Sequence, residues 1–133
     1  MSQALSRADR VRRRPDFERA YDTGVRVHAR FMTVFIVPNR EVHSRFGVAA
    51  TRKLGSAVVR NRAKRRAREL FRRHKLAAGL DIVIVPRREM LDAPFTSLEA
   101  DYLAALERRD REPAAGRPRP AGKRGRSRPA SRL

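Results

Sequence analysis

Eight basic side chains stand between Arg60 and Arg73, and Glu69 is the only acid among them. Arginine presents a rigid fork of donors that matches a phosphate in two-point geometry, so a fixed array of guanidinium groups can recognise the shape of a polyanion. A floppy basic arm could only adhere to it. The spacing here suits a helix. At about 100° per residue, Val59, Ala63, Ala67, Leu70 and Phe71 fall within one third of the circumference. Lys64, Arg65, Arg68 and Arg72 fall opposite, and Arg60, Arg62, Arg66 and Arg73 flank the apolar stripe. Gly55 permits a tight turn ahead of the helix, Ser56 can cap it, and no breaker follows Ala57 until Gly79. Arg52 and Lys53 add charge at the helix entry, where free amides can also take a phosphate. A lone acid leaves the run without internal salt-bridge partners, which favours phosphate binding over a merely solvated face.

A second constellation is aromatic. Phe17 and Tyr21 lie four apart and share a helix face, and Phe35 lies in an apolar strand. Aromatics on a sheet face beside basic groups can stack unpaired bases. The alternative role is hydrophobic core between helix and sheet, and the residues by themselves favour that role. Catalytic chemistry is not indicated. His28, His43 and His74 are isolated and match no ligand spacing. There is no GxSxG, Walker loop or GxGxxG, and Glu99 and Asp101 point to different helix faces. The expectation is no catalytic residue and no metal site in this chain.

Composition points the same way. The 133 residues carry 33 Lys+Arg against 14 Asp+Glu, a formal net charge of +19. Charge of this size opposes compaction and is relieved by a polyanion, with nucleic acid the leading partner and an anionic membrane surface the second. The absence of Cys excludes disulfide staples and fits a reducing cytoplasm. The N-terminus lacks the apolar core of a secretory signal, and no stretch approaches the roughly 18 apolar residues of a membrane span. A soluble cytoplasmic protein is expected.

These groups need positioning elements. Residues 113–133 are rich in Pro, Gly and Arg and cannot bury enough apolar surface to offset ordering entropy. They read as a disordered basic tail behind one folded domain over residues 1–112. Within it, Pro15–Tyr21 reads as a short helix ended by Gly24, and Phe31–Val37 as a strand. Alternation places Phe31, Thr33, Phe35 and Val37 on one side of that strand and Met32, Val34 and Ile36 on the other. Phe46–Thr51 is a second strand. Asp81–Pro86 is apolar on both faces and should lie centrally, covered twice. Thr96-Ser97-Leu98-Glu99 has capping-box spacing and opens a last helix with Leu98, Tyr102, Ala105 and Leu106 inward. The basic helix lies between two strands in a βαβ unit. The expected fold class is α/β, a small two-layer sandwich of about four strands and three helices.

From Gly47 to Glu69 the sequence closely resembles the signature of the bacterial ribonuclease P protein subunit. The specific part is Arg60-Asn61-Arg62 followed by Lys64-Arg65 and Arg68-Glu69. Lys53-x-Gly55-x-Ala57-Val58 precedes it, and Asp16-Phe17-x-x-x-Tyr21 and Asp81–Pro86 support it, so that the likeness covers residues 7–108. The resemblance implies a left-handed βαβ crossover, against the right-handed default. It implies an endoribonuclease in which the RNA subunit, using Mg²⁺, removes the 5′ leader from precursor tRNA, while the protein holds the leader and raises substrate and metal affinity. Arg52, Lys53, Arg60, Asn61, Arg62, Lys64, Arg65 and Arg68 would then bind the RNA subunit, and Phe17, Tyr21 and Phe35 the leader. No protein partner and no membrane are required.

One departure stands out. Where the family often has Ser-x-Ser-Lys-Lys, this chain has Ala49-Ala50-Thr51-Arg52-Lys53; Thr51 keeps a hydroxyl and Arg52 a charge, but Ala49 keeps neither. Two other readings compete: a general ribosomal or DNA-architectural binding protein, and a protein-only nuclease, which lacks the carboxylate cluster that metal-assisted hydrolysis needs.

Overall fold

The computed structural model describes residues 9–39, 43–74 and 79–109. The segment read as a basic tail, 113–133, and the domain boundary at 112 lie outside the described residues. Helix α1 (Arg14–Thr23) leads into strands β1 (Val25–His28), β2 (Met32–Pro38) and β3 (Arg45–Val48). Helix α2 (Ala57–Arg73), strand β4 (Leu80–Pro86) and helix α3 (Phe95–Arg108) follow. Short 3₁₀ turns at Arg52–Leu54 and Arg88–Leu91 precede α2 and α3.

The four strands form one sheet in the order β1-β2-β4-β3. β2 is antiparallel to both β1 and β4, whereas β3 and β4 are parallel neighbours, so α2 is the crossover between them. As its two-sided apolar pattern predicts, β4 is central. Ile82 and Ile84 enter the main core, and Val83 enters a second cluster on the other face.

The main core joins Met32, Val34 and Ile36 of β2 to Ala67, Leu70 and Phe71 of α2 and to Leu98, Tyr102, Ala105 and Leu106 of α3. Small residues at Ala63 and Ala67, both fully buried, let the α2 backbone approach the sheet. Phe71 stacks on Phe46 of β3, with ring centroids 5.0 Å apart. The opposite face carries α1, whose Ala20, Phe17 and Tyr21 pack on Phe35, Val37 and Val83. The two-layer sandwich therefore gains a partial third layer.

Polar hubs tie these layers. Asp81, fully buried, accepts from Asn39 Nδ2 at 2.8 Å, from Arg45 Nε and Nη2 at 2.8 and 2.7 Å, and from Arg19 Nη2 at 3.1 Å. It thus fastens α1 and β3 to the central strand. Asp101 of α3 accepts from the backbone amides of Arg30 and Phe31, at 3.0 and 2.8 Å, and so clasps the β1–β2 turn.

Two expectations are corrected. Phe31 does not share a face with Phe35; it precedes β2, in the turn held by Asp101, and joins the main core. Thr96 is not a cap: α3 begins at Phe95, and the amides of Ser97 and Leu98 bond to the Pro94 carbonyl, with no side-chain cap. Strand β1, not located by the periodicity, completes the expected four strands. By contrast, Ser56 caps α2 as expected, its hydroxyl accepting from the Val59 amide at 3.3 Å.

Candidate nucleic-acid interface

Helix α2 divides its cations into two groups. One group is engaged within the chain. Arg60 donates to the Gly55 carbonyl at 2.9 Å, and Arg66 donates to the Ala93 carbonyl. Arg72 Nε and Arg73 Nε reach Glu69 at 2.9 and 2.8 Å. Hydrogen bonds from Arg72, then Arg73, hold the Glu69 carboxyl down to about 2, so it stays ionised beside them. The run therefore does contain an internal ion-pair cluster, at its C-terminal end, contrary to the expectation from its composition. A single carboxylate accepts from two arginines because residues at i+3 and i+4 both lie over it.

The other group faces outward. Asn61, Arg62 and Arg65 are exposed, and Lys64 and Arg68 are half-buried. Arg62 has one weak contact, to Asp92 at 3.6 Å across an exposed gap, of a kind that contributes little. Among the described residues no hydrogen bond or ion pair engages the side chains of Asn61, Lys64, Arg65 or Arg68. The Arg68 guanidinium is pushed below arginine's ordinary value by burial, then by the positive charges of Arg10 and Arg65. Arg52 and Lys53 are exposed on the turn ahead of the helix. That turn is fixed in two ways. Gly55 adopts φ +148°, a conformation open to glycine, with Val59 filling the space where a Cβ would sit. Arg88 donates to the Leu54 carbonyl at 2.9 Å.

On the far face of the sheet the three aromatics come together. Tyr21 meets Phe35 edge-on at 4.9 Å between centroids, and Phe17 lies 6.4 Å from Tyr21. Phe35 is buried and Phe17 and Tyr21 are half-buried, so the patch is both core and surface. Sequence reading did not include Arg26, whose guanidinium lies 5.7 Å from the Phe35 ring centroid. The signal was available in the alternation of Val25-Arg26-Val27-His28, because Arg26 pairs with Phe35 across β1 and β2. Gly47 admits Phe17 closely: a Cβ there would sit 3.0 Å from its ring. Ala49, the departure noted above, packs against this same cluster. Its methyl group extends the apolar floor of the patch.

Burial raises the Tyr21 phenol from 10.0 to about 12 and pushes Tyr102 up further. Tyr21 therefore brings no negative charge to the patch at neutral pH. Because both folded-state values lie above the unfolded one, the associated stability is fully present below pH 10 and is lost as pH rises toward about 12. Spectrophotometric titration should show both tyrosines ionising above 10, and a normal titration of either would contradict the burial described.

The histidines are dispersed. His28 lies 3.4 Å from Thr33 Oγ1, and His74 lies 2.9 Å from Glu99 on α3. Among the described residues, no group of three or more His, Asp or Glu could hold a metal ion. No helix among them is long and apolar enough to cross a membrane.

The sequence profile described as Ribonuclease P matches residues 5–110. The chain belongs to the ribonuclease P protein family. A ribonuclease P protein component from Chloroflexus aggregans is 38% identical over 105 residues, covering 77% of this chain and 78% of the relative. One from Desulfovibrio desulfuricans is 38% identical over 110 residues, covering 78% and 85%. The solved ribonuclease P protein from Thermotoga maritima superposes with a TM-score of 0.67 at 33% identity, covering 74% of this chain and 96% of that one. The Staphylococcus aureus protein gives 0.67 at 33%, covering 76% and 94%. The chain is thus the protein component of an RNA-based endoribonuclease of tRNA processing.

Proposed function

We propose that the outward face of α2 docks the protein onto the ribonuclease P RNA, while the aromatic patch holds the 5′ leader of precursor tRNA. The observation that supports this most directly is the partition within α2. Some of its arginines are satisfied internally, whereas Asn61, Arg62, Lys64, Arg65 and Arg68 point outward with at most one weak ion pair among them. Such an array carries a net positive field that a phosphate backbone neutralises.

The patch of Phe17, Tyr21 and Phe35 lies on the other face of the sheet, with Arg26 beside it. Unpaired leader bases can stack there while the guanidinium meets their phosphates. The protein would therefore act by positioning two RNAs against each other, and hydrolysis falls to the RNA and its Mg²⁺. Two acidic groups near these surfaces are engaged within the chain: Asp81 by Arg19, Arg45 and Asn39, and Glu69 by Arg72 and Arg73.

The leader assignment is tested in the holoenzyme. Tyr21→Ala should weaken affinity for precursor tRNA by about fivefold to tenfold, the scale of one lost base stack, and leave affinity for mature tRNA unchanged. Equal losses for both substrates would reject leader binding at this patch.

A further inference from the structure

The chain just before α1 runs alongside β3. Arg10 forms a parallel bridge with Phe46, and the Val11 amide donates to the Phe46 carbonyl at 2.8 Å. Val11 is buried, which anchors the segment, while Arg10 is exposed. Residues paired across strands project to the same face. Phe46 projects toward α2, where it stacks on Phe71, so Arg10 projects toward α2 as well. Arg68 lies one turn before Phe71 on that helix, and Arg65 one turn before Arg68.

Three arginines from two separated segments thus converge at one edge of the molecule. Their proximity is energetically unfavourable in the free protein, since both Arg10 and Arg65 act on Arg68 as like charges. Among the described residues no hydrogen bond or ion pair engages any of the three side chains. Unpartnered cations held together by the backbone are suited to an anion shared between them.

We propose that Arg10, Arg65 and Arg68 together clamp one phosphodiester of the ribonuclease P RNA, extending the docking surface from α2 onto the segment that precedes α1. This rests on the α2 docking reading above. The occupant is an RNA backbone phosphate because the three converging side chains are all guanidinium donors, suited to a shared phosphate rather than to a base edge.

The test measures affinity of the full chain for the cognate RNA subunit across a range of monovalent salt. Arg10→Ala and Arg10→Gln should each weaken binding about fivefold and lower the log–log salt slope by about one, as for a lost phosphate contact. The backbone bridge to Phe46 is retained in both, so the melting temperature of the free protein should not fall. In an Arg68→Ala background the Arg10 substitution should cost less than it does alone, because the two share one phosphate. Wild-type affinity and slope in both Arg10 variants would overturn the clamp, as would fully additive losses in the double variant. Arg62→Ala, measured in parallel, separates the two failures: if it also binds normally, the α2 docking reading falls with the clamp, and if it binds poorly, only the clamp falls.

Discussion

Replacing Arg62 and Arg65 together by Ala is expected to weaken binding to the ribonuclease P RNA by at least about 30-fold, while the melting temperature stays within about 3 °C of wild type. The two halves of that expectation come from different observations. Both side chains are exposed, and among the described residues their only ion pair is the 3.6 Å contact of Arg62 with Asp92. Removing them therefore costs the free protein almost nothing. In the complex each guanidinium would make charge-assisted hydrogen bonds, each contributing about 1.5–3 kcal/mol. The paired arginines of the same helix supply the contrast. Arg72→Ala should leave RNA affinity closer to wild type, because Arg72 is committed to Glu69.

The second large effect is on stability. Asp81→Asn is expected to lower stability by about 3 kcal/mol, and so to lower the melting temperature by about 12–20 °C. Asp81 is fully buried and lies under two arginines whose side chains are only 38% and 20% exposed. Removing the carboxylate leaves Arg19 without its counter-ion and Arg45 with only the 3.6 Å contact to Asp16, which is the costly way to break such a cluster. Arg19 belongs to α1, the helix that carries Phe17 and Tyr21. The variant should therefore also lose leader affinity at temperatures where it remains folded. Thermal unfolding followed by circular dichroism checks the first part, and an unchanged melting temperature would show that the hub contributes no net stability.

The elements that position the interface were largely legible in the sequence, because helical periodicity is a local signal. The stripe Ala63, Ala67, Leu70 and Phe71 is buried as the pattern predicts, with Val59 only half-buried at its end. The strand from Asp81 was identified as central because it is apolar on both faces, and it is. What local patterns could not show were partners brought together by the fold. That Arg66 donates to Ala93, that Arg62 nears Asp92 and that Asp81 gathers Arg19, Arg45 and Asn39 all depend on tertiary placement.

The local misreadings have local causes. Strand β1 is only four residues long, too short for its alternation to stand out. Phe31 fits the alternation of β2 but lies before the strand begins, where Asp101 holds the turn. The capping-box spacing at Thr96 is overruled by Pro94, whose φ of −56° and whose carbonyl, accepting from the Ser97 and Leu98 amides, start the helix earlier. Glu99, the last residue of that supposed box, is instead paired with His74 and Arg73.

The aromatic patch lies between these cases. Its three rings do pack on one another, as a core would, but Phe17 and Tyr21 remain half-exposed, and Arg26 stands over Phe35. Packing in the core therefore does not preclude the proposed leader binding, since Phe17 and Tyr21 are also partly open to solvent.

The central claim is that the outward face of α2 delivers this protein to a catalytic RNA. It is tested most directly by cleavage of precursor tRNA with the cognate RNA subunit at limiting Mg²⁺, comparing no protein, wild-type protein and Arg62→Ala/Arg65→Ala. Wild-type protein should raise the cleavage rate, and the double variant, at the same concentration, should fail to do so while remaining folded. Full stimulation by the double variant, or none by the wild type, would contradict the account.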